Sequence, residues 1–360
     1  MNDISTHLPS LRSIALGSSR GLKRRVIDAC LIAVSLAACS TTNVSTNPSA
    51  TPSTDARAWI VYQSESGLHR FLPDGTGDRP AAGTLSAKAL HPDFSRDGQR
   101  LAFVTDETDG TRPIWVSNWD GSDTERMVNC QAPCRDADGP AWSPDGTRIA
   151  FNRIDNVNGH NPGSKLQLVD VATKNVVTVL STNGADYVEG QRWSPDGKSL
   201  VVTITRYIND GNDTTEVAGR AIAVVDLAAS KPQLSIIRPF ASYASYPDWD
   251  PRTDRIVYAE GGQGLLQDPL DPTQPPQNLF TVRPDGTGRV QLTHQGPNDD
   301  GVWMPAFRFS NEQILATRVQ RPSGHLSVVI VQPDGTLTDL GKGQVLPGAH
   351  TRERPVPVGS

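Results

Sequence analysis

The sequence predicts an all-β fold: a six-bladed β-propeller of four-stranded antiparallel blades, closed by the C-terminal tail. The main observation is an aromatic residue followed seven positions later by an aliphatic one, which recurs five times at intervals of 48 to 58 residues. A repeat of about 50 residues is typical of propellers and solenoids. The pairs are Phe94/Leu101, Trp142/Ile149, Trp193/Leu200, Trp249/Ile256 and Phe307/Ile314.

A tight turn separates the two members of each pair and predicts two consecutive strands. It is best preserved as Ser143-Pro144-Asp145-Gly146 and Ser194-Pro195-Asp196-Gly197. Proline presets φ in such a turn, and glycine adopts positive φ without a Cβ clash. A third apolar run then ends at an acidic turn in every repeat, as at Asp120-Gly121. Short blades of this kind bury their faces only by stacking around an axis, so we interpret the aromatic residues as packing between blades.

A sixth unit precedes these five and lacks their aromatic opening. Trp59–Tyr62 matches a second strand and Leu68–Phe71 a third, but the opening aromatic would fall at Ser53, in Ser/Thr/Pro-rich sequence. The chain also continues past the last blade, which ends near Leu340, to Ser360. We therefore expect the tail to supply the missing innermost strand of the first blade. Prolines in the tail favour a short strand.

The N-terminal residues predict an export signal. Basic residues precede an apolar stretch from Val26 to Ala38, and Leu36-Ala37-Ala38-Cys39 resembles a lipoprotein cleavage site. We expect residues 1–38 to be removed, Cys39 to be lipidated, and residues 39–56 to form a disordered tether before a propeller at 57–360. An ordinary signal peptide or a short anchor helix is the alternative. The predicted location is extracytoplasmic, on a membrane.

The net charge of the chain argues against a nucleic-acid partner. The 360 residues carry a formal charge of −5, so no basic face for nucleic acid is expected.

Cys130 and Cys134 are close in sequence, and an exported chain meets an oxidising compartment, so we predict a disulfide between them. A metal pair is the alternative for these two cysteines.

The repeat resembles that of a known family. Pro140-Ala141-Trp142-Ser143-Pro144-Asp145-Gly146, followed by Ile149-Ala150-Phe151, is similar to the repeat of TolB and its WD-like propeller relatives. The resemblance covers about Ala56 to Leu340 and implies a ring that binds a protein or peptide partner at its axial mouth. The TolB family has an α/β domain ahead of its propeller. Only Ser40–Ala56 separates Cys39 from the first blade here, so we expect a lipoprotein variant that lacks this domain.

No catalytic residue, metal or cofactor is predicted from the motifs. Histidines 69, 91, 160, 294 and 325 show no metal-ligand spacing, and the acidic loop Asn209–Asp213 lacks the ligand pattern of an EF-hand. A solvated turn is the simpler interpretation of that loop, with calcium binding as the alternative. A ring could still gather histidines at its axis, as manganese-dependent pectin lyases of similar architecture do. A metal-dependent polysaccharide lyase or another carbohydrate-active propeller is therefore the alternative function.

If the axis is the working surface, its side chains precede the aromatic residue of each innermost strand by three or four positions. Aromatic and acidic residues at these positions suit a peptide or a small polar ligand, whereas a merely solvated channel wall is the alternative. We call this set the axial surface, and its members are His91, Asp138, Glu189, Tyr246, Trp303 and Met304. The predicted function is a non-catalytic lipoprotein of the cell envelope that binds or scaffolds a protein or peptide there.

Overall fold

The computed structural model describes residues 57–155, 163–182, 184–208, 217–261, 276–296, 299–321, 323–343 and 351–356. The leader, Cys39, the tether and the loop at Asn209–Asp213 lie outside the described residues. Within the described part of the chain, no helix is long and apolar enough to span a membrane. Two short 3-10 helices, Gly83–Lys88 and Phe240–Ser242, accompany the strands.

The described residues form 24 β-strands. In chain order they are β1 Ile60–Ser64, β2 Gly67–Phe71, β3 Arg79–Pro80, β4 Ala89–Phe94, β5 Arg100–Thr105, β6 Ile114–Asn118, β7 Glu125–Val128, β8 Cys134–Trp142, β9 Arg148–Asp155, β10 Ser164–Asp170, β11 Val176–Ser181, β12 Asp186–Trp193, β13 Ser199–Tyr207, β14 Val217–Asp226, β15 Gln233–Arg238, β16 Ser245–Trp249, β17 Ile256–Glu260, β18 Asn278–Val282, β19 Val290–Gln291, β20 Gly301–Phe307, β21 Ile314–Val319, β22 Leu326–Val331, β23 Leu337–Gly343 and β24 Arg352–Glu353.

These strands form six antiparallel sheets of four, arranged in a ring as a six-bladed β-propeller. From the innermost strand outwards, blade 1 is β24-β1-β2-β3, and blades 2 to 6 are β4–β7, β8–β11, β12–β15, β16–β19 and β20–β23. Each of the five aromatic residues of the repeat ends the innermost strand of its blade. The predicted fold class is confirmed.

The aromatic residues lie in the interior, as their spacing predicts. All five are between 3% and 7% exposed, and the aliphatic partners that open the second strands are at most 4% exposed. Trp193 shows how an aromatic side chain links two blades, because its indole N–H donates to the carbonyl of Ala141 in blade 3, at 3.0 Å. Burial of such side chains contributes roughly 1.5–3 kcal/mol each. The core is therefore distributed between neighbouring blades.

The C-terminal tail closes the ring, as predicted. Strand β24 pairs antiparallel with β1, with Glu353 opposite Ile60 and Arg352 opposite Val61. In blades 2 to 6 the aliphatic residue of the repeat, on the second strand, faces the aromatic residue, as Leu101 faces Phe94. Glu353 therefore occupies in blade 1 the position that an aromatic residue occupies in the other blades.

Buried polar contacts hold this closing strand. The carboxylate of Glu353 is fully buried and accepts hydrogen bonds from the Arg308 guanidinium of blade 6, at 2.6 and 2.8 Å. It also accepts from the backbone N–H and the hydroxyl of Ser310, both at 2.9 Å. The next residue, Arg354, donates through Nε to the carbonyl of Gly98 in blade 2, at 2.7 Å. The tail thus joins blade 1 to both of its neighbours.

Close approach of the tail requires glycine at position 98. Gly98 adopts φ 67°, and a Cβ atom there would lie 1.9 Å from the carbonyl oxygen of Pro355. Any larger residue would push the tail away from blade 2. Gly98 therefore serves both its own hairpin turn and the close approach of the C-terminal tail.

Replacement of Glu353 tests this closure. Glu353→Gln should lower the free energy of unfolding by about 3–5 kcal/mol, because it leaves the buried Arg308 charge without its counter-ion. The measurement is the urea midpoint of unfolding. If the mutation affects stability alone, the slope of the unfolding free energy against urea concentration stays unchanged. Glu312→Gln is the matched control, because Glu312 is exposed and lies in the turn that contains Ser310. It should change stability by less than about 0.5 kcal/mol. Equal midpoints for the two variants would contradict the proposed role of the pair.

Candidate functional site

The innermost strands of blades 2 to 6 share an irregularity just before their aromatic residues. In each blade the ladder to the second strand shifts register and leaves two residues out of the pairing, which is the pattern of a β-bulge. The shifts fall between Leu90/Asp93, Asp138/Ala141, Glu189/Arg192, Ser245/Asp248 and Trp303/Ala306. The axial surface predicted from the sequence coincides with these bulges.

The first bulged residue of every blade has a left-handed backbone conformation. Two of the five are glycines, Gly139 and Gly190, which adopt positive φ without strain. The other three are His91 at φ 48°, Tyr246 at 54° and Met304 at 51°. A side chain in this conformation costs roughly 1–3 kcal/mol, and such strain tends to cluster at ligand clamps and active sites. Three strained side chains in equivalent positions make this end of the propeller the candidate site.

Neighbouring blades hold the bulges in place. The backbone N–H of His91 donates to Gln63 Oε1 of blade 1 at 3.4 Å, and that of Tyr246 donates to Thr203 Oγ1 of blade 4 at 3.1 Å. Both acceptors are buried. Gln191 stands where the four other blades of the repeat have proline, and its amide donates to the carbonyl groups of Asp138 and Gly139 in blade 3. Sequence reasoning missed Gln63 and Thr203, because nothing in the repeat marks them.

The structure joins two members of the axial surface by a hydrogen bond between blades 2 and 3. The Nδ1 atom of His91 contacts Oδ1 of Asp138, and Arg112 Nη1 lies 3.8 Å from Oδ2 of the same carboxylate. Burial alone would raise the pKa of Asp138, but the charge and hydrogen bond of His91 and the charge of Arg112 hold this pKa below its usual range. Asp138 is therefore an ionised carboxylate beside two basic side chains.

A second part of the axial surface is aromatic. The rings of Tyr246 and Trp303 meet edge to face, with centroids 5.9 Å apart, and Met304 belongs to the same buried cluster. Trp303 is 6% exposed, and its indole Nε1 has no hydrogen-bond partner among the described residues. An unpaired buried donor costs roughly 1–3 kcal/mol.

Glu189 lies beside the aromatic part. Its carboxylate accepts a hydrogen bond from the hydroxyl of Thr205. Burial is the main cause of the raised pKa of Tyr246; the Glu189 charge raises it further, and the Arg220 charge opposes both. Burial and the Glu189 charge likewise raise the pKa of Tyr207 to about 12. Tyr207 and Arg220 were not predicted, because they lie on second and third strands, outside the repeat positions.

Next to the aromatic residues of the repeat lie four charged side chains, which we call the axial charge network: Asp93, Arg192, Asp248 and Arg352. Asp93 is half-buried and the other three are buried. Arg352 Nε lies 3.4 Å from Asp93, and Arg192 Nε lies 3.6 Å from Asp248. Burial, together with the nearby charge of Arg352, lowers the pKa of Arg192 to about 10. Burial also raises the pKa of Asp93, although both arginines oppose that effect.

The aromatic residues of the repeat and the axial charge network line one small cavity, of about 80 Å³. A water molecule takes about 30 Å³ in the liquid, so this cavity holds a few waters and has no room for a peptide. Ligand binding on the axis is therefore favoured at the axial surface, where the β-bulges lie.

The structure pairs Cys130 with Cys134 as a disulfide, with Cα atoms 5.1 Å apart, where blade 2 passes into blade 3. Neither sulfur lies in the axial surface. Among the described residues, no group of three or more His, Cys, Asp or Glu side chains is arranged to hold a metal ion.

Comparison with solved structures identifies the fold. The chain superposes on TolB from Acinetobacter baumannii with a TM-score of 0.57 and 17% identity, over 82% of this chain and 66% of that one. A putative TolB from Agrobacterium tumefaciens gives 0.54 and 18%, over 83% and 99%. This chain has the fold of the TolB propeller. At such identities the likeness is one of fold alone.

Sequence comparison adds a short local match. Dipeptidyl-peptidase 5 of Trichophyton tonsurans is 28% identical over 124 residues, which are 31% of this chain and 17% of the peptidase. The chain therefore matches less than a fifth of the length of that relative. No protein-family model matches the chain.

The His91–Asp138 pair predicts a pH dependence of stability. The folded pKa of Asp138 is lowered, so its contribution to stability is present above the unfolded pKa of about 4 and is lost as pH falls through the folded value. Asp138→Asn should therefore destabilise the protein at pH 7, and the deficit should shrink towards pH 2–3. Urea midpoints across this range provide the measurement, with exposed Asp254→Asn as control. A deficit of the same size at every pH would show that the charge is not responsible.

Proposed function

We propose that the protein takes a protein or peptide segment at the axial surface, which acts as a non-catalytic binding site. The observation that carries this proposal is the repeated bulge, with three non-glycine residues held at positive φ on one end of the ring. Strain of this kind persists when the surrounding structure imposes it, and it positions side chains in advance of binding. Preorganisation lowers the entropic cost of binding.

The chemistry of the axial surface suits a polypeptide. The edge-to-face rings of Tyr246 and Trp303, with Met304 in the same cluster, offer apolar contact to a side chain of the segment. On the opposite side the ionised Asp138 carboxylate can accept a ligand N–H or balance a basic side chain. Few polar groups around an apolar patch are typical of sites that fix the orientation of a ligand.

Photocrosslinking compares the two ends of the axis directly. A photoreactive phenylalanine analogue should replace Tyr246 at the axial surface and, as a matched aromatic control, Phe309 beside the small cavity. Irradiation of intact cells should then give a discrete crosslinked protein or peptide from position 246 and none from position 309. Trp303→Phe replaces the indole that packs edge to face against Tyr246 with a smaller ring, so it should weaken the crosslink about 2- to 10-fold. Trp249→Phe is the control for this change.

Two results would contradict binding at the axial surface. Crosslinks of equal strength from both positions would indicate non-specific contact. Stoichiometric manganese or calcium in the purified protein, with activity on uronic-acid polymers, would replace the binding function with the polysaccharide lyase alternative.

We further propose that Cys39 carries the lipid that fixes the protein to a membrane of the cell envelope, with the acidic propeller on the extracytoplasmic side. The support is the sequence Leu36-Ala37-Ala38-Cys39 behind a basic and apolar leader. One acyl chain binds a membrane only marginally, whereas two or more anchor it stably. The diacylglyceryl group that such a cysteine receives meets this requirement.

Replacement of the cysteine tests the anchor. Cys39→Ala should move the protein from the membrane pellet to the soluble fraction, or leave it with an uncleaved leader. Cys30→Ala, which changes the other leader cysteine, should have neither effect. Fractionation after a carbonate wash and the mass of the mature N-terminus are the measurements. A normally processed Cys39→Ala protein that stays in the pellet would rule out lipidation at this residue.

A further inference from the structure

Blade 1 carries a cluster of chemically reactive side chains that are not part of the axial surface. Ser66 lies in the turn between β1 and β2, and His69 lies on β2, opposite Tyr62 of β1. Asp78 precedes β3 directly. The four side chains line an open cavity of about 480 Å³, whose wall also includes Arg79.

Hydrogen bonds connect these side chains in series. Ser66 Oγ lies 2.9 Å from His69 Nε2, and His69 Nδ1 lies 3.1 Å from Asp78 Oδ1. The Tyr62 hydroxyl donates to the other oxygen of Asp78, at 2.8 Å. Because a carboxylate faces Nδ1, the neutral imidazole carries its proton there and presents Nε2 as an acceptor to Ser66. This is the order of contacts of a serine–histidine–aspartate triad, which is recognised by geometry rather than by sequence position.

Tyr62 stabilises this arrangement. Burial is the main cause that raises the pKa of Tyr62, and the hydrogen bond and charge of Asp78 raise it further, so the phenol keeps its proton and remains a donor. Asp78 is thereby held between two donors, one on each oxygen. A carboxylate held in this way orients the imidazole and stabilises its protonated form.

We propose that Ser66 is a nucleophile activated by His69 and that this cavity transfers acyl groups from esters. In the first step Ser66 Oγ bonds to the acyl carbon and its proton passes to His69 Nε2. The alcohol then leaves with that proton and an acyl–serine remains. Water, deprotonated by His69, releases the carboxylic acid and restores the hydroxyl. Asp78 and Tyr62 are positioning residues.

The surroundings of Ser66 set the class of substrate. The backbone N–H of Ser66 donates to Ser64 Oγ at 3.2 Å, so it does not point at a developing oxyanion. Loss of one such donor costs serine hydrolases about 10²–10³ in rate. Arg79, on the same cavity wall, is the cation left for this role. We therefore assign the site to esters with good leaving groups, such as aryl esters, and not to peptides.

A fluorophosphonate–biotin probe tests the proposal on the full chain. The probe should attach to Ser66, with fluoride as the leaving group, and the adduct is located by mass spectrometry. Ser66→Ala should abolish labelling, whereas Ser323→Ala, at another exposed serine, should not change it. His69→Gln should slow labelling at least about 100-fold, since a general base contributes 10²–10⁴.

The pH dependence of the labelling rate distinguishes a Ser66 that is activated by His69 from one that is merely exposed. In the native protein the labelling rate should depend on pH, and in His69→Gln this dependence should disappear. Asp78→Asn should reduce the rate and alter the profile, while the urea midpoint shows that the variant is folded. No adduct, an adduct at another residue, or equal labelling of native protein and His69→Gln would each overturn the proposal.

Discussion

The ring depends on a closing strand of only two residues. A typical hydrogen bond contributes about 1 kcal/mol net, so the short ladder between β24 and β1 accounts for little stability by itself. Further stability comes from the side chains of the strand and of the residue after it. Glu353 contacts blade 6, Arg352 contacts the axial charge network, and Arg354 contacts blade 2. Buried ion pairs are expensive to desolvate, and their best-supported use is to fix register. A shift of one residue would separate all three side chains from their partners.

The same strand completes the axial charge network. Arg352 is one of its two cations, and it lies near both Asp93 of blade 2 and Asp248 of blade 5. Those two carboxylates also accept the backbone N–H groups of Trp142 and Phe307 in the following blades. Charge balance in the interior therefore couples the tail to four other blades, and the two ends of the axis differ in chemistry as a result.

The repeat predicted the fold well because its signals are local. The aromatic residue, the turn and the aliphatic run are neighbours in sequence, and each innermost strand of blades 2 to 6 ends at the predicted aromatic residue. The role of Glu353 could not be predicted, since its partners lie in another blade. Positive φ at Tyr246 and Met304 also escaped prediction, because each precedes a proline, which disfavours helical backbone. For Ser66, His69 and Asp78 the only signal was their residue types, at a spacing that no motif marks.

Closure by the tail also imposes an order on folding. Strand β1 is among the first parts of the ring to be synthesised, and its inner partner β24 is the last. Until β24 arrives, the inner edge of β1 exposes unpaired backbone groups, and such edges recruit other strands. This edge is five residues long and apolar at its start, so nascent chains are most prone to associate with one another during this interval. A high local concentration of newly made chains therefore favours association between them before each ring closes.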